Sequence, residues 1–176
     1  MRLSLGLSLV IVGICAATLG SDAAQVSAGA DSDATRQEQV WFEGVWRYAL
    51  VEVEGVRQPD MPFETNKLII ANNGRFAIVQ GTKVTRGTLR VDPTTTPKHY
   101  DFSVTEGPGK GLTALGIYER GGDTFKICLP LRGQDRPTLL VSRPGSGCLF
   151  QVFQREGRDV NLALAEIDRQ ETESKN

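Results

Sequence analysis

The sequence predicts an all-β domain, an antiparallel, up-and-down, eight-stranded β-barrel. Three observations carry this reading. From Trp46 onward, apolar and polar residues alternate with a period of two through eight successive segments. Most of these segments are joined by short turns, which leaves no room for the long crossovers that parallel strands need. Eight antiparallel strands in sequence order suit closure into a barrel, because closure removes exposed sheet edges. An open sandwich is the alternative. A short helical turn is expected before the first strand and a helix after the last.

The chain has 176 residues, enough for one domain of ordinary size. Hydrophobic residues make up 40% and charged residues 23%, which permits a packed core. A formal net charge of −1 does not suggest the basic patch of a nucleic-acid binder, so no nucleic-acid partner is expected.

Residues 1–23 read as a signal peptide. Arg2 precedes the apolar, small-residue-rich run LSLGLSLVIVGICAATLG, and SDAAQ follows it, with cleavage expected between about Gly20 and Ala24. The protein is therefore expected to be exported, with no membrane span once the signal is removed. An uncleaved anchor is the competing reading, since the run is near the length that spans a bilayer. A lipid anchor on Cys15 fits poorly, because Ile14 stands where a small residue is wanted. Residues 24–37 have the composition of a flexible linker. Near its end, Thr35 and Glu38 have capping-box spacing for a short helical turn through Trp41 and Phe42, stopped at Gly44.

The barrel domain is placed at 38–156. WRYALVEV puts Trp46, Tyr48 and Leu50 on one face. KLIIA and RFAIV flank Asn72-Asn73-Gly74, a strong short hairpin signal. VTRGTLRV follows and ends at Asp92-Pro93. HYDFSV sets Tyr100, Phe102 and Val104 against His99, Asp101 and Ser103. GLTALGIYE and TFKICL form a hairpin with Leu115, Ile117, Phe125, Ile127 and Leu129 expected inward, and Glu119 and Lys126 outward. CLFQVFQ is the last strand. Residues 157–176 read as a charged tail with a C-terminal helix, carrying Leu162, Leu164 and Ile167 loosely on one side.

Export changes how the cysteines are read. With Cys15 gone, Cys128 and Cys148 remain as an even pair in an oxidising compartment. A disulfide between them would close a loop of about twenty residues, adding roughly 3 kcal/mol in the chain-entropy model. Two separate buried thiols fit the sequence equally well. Two Cys and one His do not suggest zinc, and no metal or cofactor is expected.

Gly44-Val45-Trp46 on the first strand resembles the Gly-x-Trp signature of lipocalins. A late Arg, here Arg155 or Arg158, is similar to the lipocalin Arg that packs on that Trp. LRVDPTTTPKHYDF, GLTALGIYERGGDTFKICLP and RPT resemble a family of small exported proteins of lipocalin-like fold, abundant in planctomycetes. The resemblance covers roughly residues 38–155. It implies a lipocalin-like barrel, export, and structural roles for Gly44, Trp46 and Arg155. It brings no catalytic residues and no ligand.

The other candidate chemistries are sparse. His99 and Asp101 share a strand face, but no nucleophile is placed beside them. EGPGKG lacks the spacing, the Ser or Thr, and the following helix of a phosphate loop. Ser146 in PGSGC lacks the wider elbow motif. Glu52 and Glu54 lie on one strand edge, not across a cleft. Arg132, Arg136 and Arg143, with Lys110 near and Asp135 able to neutralise part of the charge, offer a guanidinium cluster for an anionic head group at a barrel mouth. Trp46, Tyr48, Tyr100, Phe102, Tyr118, Phe125 and Phe150 either fill the barrel or line a cavity for one small ligand. The expected function is non-catalytic binding of a small, partly apolar ligand, with Tyr48, Tyr100, Phe102, Phe125 and Arg136 as its contacts. The alternative is a cell-envelope interaction module with a filled barrel.

Overall fold

The computed structural model describes residues 21–58, 65–131 and 135–173. Residues 1–20 of the expected signal segment lie outside the described residues, as does Arg132. The strands are β1 (Gly44–Val53), β2 (Val56–Arg57), β3 (Lys67–Ile70), β4 (Arg75–Gln80), β5 (Lys83–Asp92), β6 (Lys98–Glu106), β7 (Thr113–Gly121), β8 (Thr124–Pro130) and β9 (Cys148–Gly157). Each long strand pairs antiparallel with the next, and β9 pairs back onto β1 to close an eight-stranded barrel. The two-residue β2 folds back on the end of β1. This is the expected architecture, and it fits a lipocalin-like fold.

The Asn-Gly signal is a tight turn between β3 and β4. Asn73 and Gly74 both have positive φ, the conformation that matches the right-handed twist of a hairpin. Inward-facing residues of all eight strands build one core, in which Trp46, Tyr118, Phe125 and Phe153 are fully buried.

The helix before the barrel is longer than a turn. It is α1, Ser21–Phe42, so the residues expected to be linker are helical, and Thr35 lies within the helix instead of capping it. Its C-terminal turn is fixed by burial: Phe42 enters the core, and Glu38 is buried beside it. The second helix, α2 (Val160–Glu173), lies against the outside of the barrel. Asp159 starts it by accepting a hydrogen bond from the Leu162 amide. Val160, Ala163, Leu164 and Ile167 cover Val45, Ile69 and Ala77, whereas Leu162 is 69% exposed, contrary to expectation.

Two strand faces differ from the alternation read in the sequence. A bulge between Tyr48 and Leu50 shifts β1 by one residue, so Val51 and not Leu50 joins the core. On β7 the inward set is Ala114, Gly116 and Tyr118, while Leu115 is 45% exposed and Ile117 faces outward. Ile117 is nevertheless fully buried, because Cys128, Cys148, Leu140 and Phe150 cover it on the outer wall. Phe125, Ile127 and Leu129 do face inward, as expected.

Candidate functional site

The barrel has one closed and one open end. At the closed end, Phe42 packs edge-on to Tyr118 and Phe125, at ring-centroid distances of 5.1 and 5.0 Å. Trp46 donates its indole N–H to the Phe42 carbonyl at 2.8 Å. Arg155 lies over the Trp46 ring, 3.9 Å from its centroid, and its side chain is 5% exposed. The guanidinium donates to the carbonyls of Glu43 at 2.6 Å and Trp41 at 2.7 Å, and to Asp123 at 3.1 Å. It thus satisfies carbonyls that the end of a helix leaves without partners. Burial, with Arg158 nearby, lowers the Arg155 pKa, yet a guanidinium stays charged. Gly44 has φ of 147°, and a Cβ there would lie 2.5 Å from the Arg155 guanidinium and 2.8 Å from the Gly157 carbonyl. Gly44, Trp46 and Arg155 are therefore one interlocked structural unit.

Glu38 completes this end. Arg120 grips both its oxygens at 2.7 Å, Tyr118 donates its hydroxyl at 2.7 Å, and the Lys98 ammonium stands 3.5 Å away. Burial acts to raise the Glu38 pKa, but the bonds from Arg120 and Tyr118 and the two cationic charges prevail and hold it below the usual carboxylate range. The sequence did not point to this pair. Glu38 read as a capping residue, and Arg120 sits beside a hairpin turn.

The open end is hollow. A cavity of about 400 Å³ occupies it, within the range of small-ligand sites. Tyr48, Tyr100 and Phe153 lie on its inner side, next to the closed-end aromatics: Phe153 stacks on Phe125 at 4.7 Å, and Tyr48 packs on Phe153 at 4.6 Å. Leu68, Phe76, Ile78, Phe102, Val104, Ile127 and Leu129 form apolar walls. Gln80, Thr85 and Gln151 add uncharged polar groups. Pro108, Gly109 and Leu112, from the loop between β6 and β7, stand at the mouth, with Lys110 in the adjoining depression.

Tyr48 and Tyr100 are each 4% exposed. Among the described residues neither hydroxyl has a hydrogen-bond partner, and neither is among the polar atoms sealed from solvent. Burial pushes both phenols well above their usual range, and Tyr48 adds to the rise at Tyr100.

Three of the five expected contacts, Tyr48, Tyr100 and Phe102, thus line the cavity. Phe125 lies in the packed aromatics beneath it. Arg136 is on the outer wall, where it makes a two-pronged pair with Asp101 and donates to the Gly116 carbonyl at 2.6 Å. The guanidinium cluster at the mouth does not form from it, and Asp101 serves this pair instead of orienting His99. Phe150 also faces outward.

Glu54 sits in the turn after β1, where it accepts a hydrogen bond from the Gly145 amide. Ser146 and Arg143 bond each other in a turn, and EGPGKG is the loop between β6 and β7. Cys128 and Cys148 are joined by a disulfide. Among the described residues no group of three His, Cys, Asp or Glu is placed to hold a metal, and no helix is long and apolar enough to cross a membrane.

The fold and cavity define an antiparallel eight-stranded barrel, closed at one end and hollow at the other. No known family model, curated protein or solved structure matches the chain.

Proposed function

We propose that the protein is an exported, non-catalytic binder that carries a small, partly apolar molecule in the open half of its barrel. The observation behind this reading is the cavity of about 400 Å³, walled by aliphatic and aromatic side chains and reached from one end. Its described lining has no carboxylate, amine, imidazole or thiol. The hollow end favours this reading over a filled-barrel interaction module. The interlock of Gly44, Trp46 and Arg155 supports placing the chain with the small exported lipocalin-like proteins it resembles. Export rests on the leader pattern of the first residues, and N-terminal sequencing of the mature chain tests it.

Binding is tested with N-phenylnaphthylamine, whose fluorescence rises in apolar surroundings. Saturable enhancement is expected at about one probe per chain. Gln151→Trp should remove it, because Gln151 lines the cavity while remaining partly exposed, so a larger ring there fills the site without breaking the closed-end core. No saturable enhancement by the native protein, or full enhancement by a folded Gln151→Trp variant, would overturn the proposal.

A further inference from the structure

The cavity also carries information about which end of a ligand goes in first. We infer that it takes an uncharged, mainly apolar molecule with one hydrogen-bonding end, seated against the hydroxyls of Tyr48 and Tyr100, while the apolar part points to the mouth. This inference rests on the cavity being a ligand site.

Three observations carry it. The first is charge. The described lining offers no carboxylate, guanidinium or ammonium, so an ionised ligand would be buried without a counter-charge. Burying an unpaired charge is far more costly than burying a neutral polar group. The second is the pair of phenols. Both residues are 4% exposed, both line the cavity, and neither hydroxyl has a partner among the described residues. Neither hydroxyl is sealed from solvent, so water can meet it in the open cavity; a wholly apolar ligand would displace that water without replacing its hydrogen bonds, whereas a ligand with a polar end replaces them. The third is position. Both tyrosines adjoin the closed-end aromatics, Tyr48 packing on Phe153 and Tyr100 stacking on Phe125 at 6.2 Å. Both side chains therefore belong to the inner part of the cavity, and the phenols are close enough for Tyr48 to raise the Tyr100 pKa, whereas the mouth is reached past Phe102, Leu129 and Leu149. A phenol both donates and accepts, so a ligand hydroxyl or carbonyl satisfies it. At about 30 Å³ per water, the cavity of about 400 Å³ has room for about a dozen waters.

The test uses three probes of one shape: butylbenzene, para-butylphenol and para-butylbenzoate, measured by titration calorimetry on the native protein and on Tyr48→Phe/Tyr100→Phe. These substitutions keep both rings and remove only the hydroxyls; a thermal melt verifies the fold. The native protein should bind the phenol about tenfold more tightly than butylbenzene, from hydrogen bonds of ordinary strength. It should bind the benzoate more weakly than either. The double variant should bind butylbenzene at least as well as the native protein and lose the preference for the phenol. Equal affinity of the native protein for phenol and butylbenzene would overturn the polar-end inference and leave the apolar site standing. So would a preference that survives in the double variant, or tightest binding of the benzoate. If none of the three binds, the reading of the cavity as a ligand site falls, and this inference with it.

Discussion

Glu38 shows how much of the closed end depends on single side chains. It is the acidic residue at the core edge, and Arg120 and Tyr118 from β7 and Lys98 from β6 converge on it. A carboxylate whose pKa is lower in the folded than in the unfolded state contributes stability above its unfolded value and loses it as pH falls through the folded value. The Glu38 pKa lies below the usual 4.5, so its contribution is present at neutral pH and fades below about that value. Glu38→Gln leaves Arg120 a weaker acceptor and should cost about 1–3 kcal/mol at pH 7. Urea unfolding at a series of pH values should show the gap between the two proteins closing as the medium becomes acidic. A gap that stays constant to pH 3 would mean the charge on Glu38 contributes nothing. None of this was legible in the sequence, because the partners are 60 to 82 residues apart and only the barrel brings them together. Trp46 and Gly44 were legible, since their spacing on one strand is local.

The hairpin of β7 and β8 shows where alternation informs and where it fails. On β8, Phe125, Ile127 and Leu129 face inward and Lys126 outward, as the period of two requires. On β7 both faces are apolar enough to be the core: Leu115 and Ile117 on one, Ala114, Gly116 and Tyr118 on the other. The larger aliphatic residues point outward, because the loop after β8 and the disulfide cover Ile117 from outside. Small residues face inward, where Gly116 lies against the Leu129 side chain. Periodicity cannot separate two such faces. Likewise the bulge in β1 adds a residue that no local signal announces, and α1 extends through a segment whose composition suggested a linker. Phe125 is fully buried against Trp46, Phe42 and Phe153, so Phe125→Ala should destabilise by about 3–5 kcal/mol. Lys126 meets Glu119 at 3.8 Å on the surface, so Lys126→Ala should stay within about 0.5 kcal/mol. Thermal melts of the two variants decide it: comparable losses would show that the register across this hairpin is misassigned.

At the scale of the whole molecule, the packed core and the proposed binding cavity occupy different layers. The closed-end aromatics fill the barrel's lower half, the cavity occupies the upper half, and the disulfide clamps residues outside the wall. Cys128 and Cys148 are on adjacent strands, facing away from the cavity, with 20 residues of separation. A cross-link of that span restricts the unfolded chain and contributes about 3 kcal/mol in the chain-entropy model. For a domain of this size that corresponds to about 10 °C in the unfolding midpoint. Reduction with dithiothreitol should therefore lower the midpoint by about that amount. The inner faces of β8 and β9, with Ile127, Leu129, Leu149 and Gln151, keep their ladder without the bond. The reduced protein, held well below its midpoint, should thus bind N-phenylnaphthylamine within about twofold of the oxidised protein, a difference of less than 0.5 kcal/mol. An unchanged midpoint would show that the clamp does not restrain the unfolded chain. Lost binding in a reduced but still folded protein would show that the outer wall sets the shape of the cavity, and the two layers would then have to be treated as one.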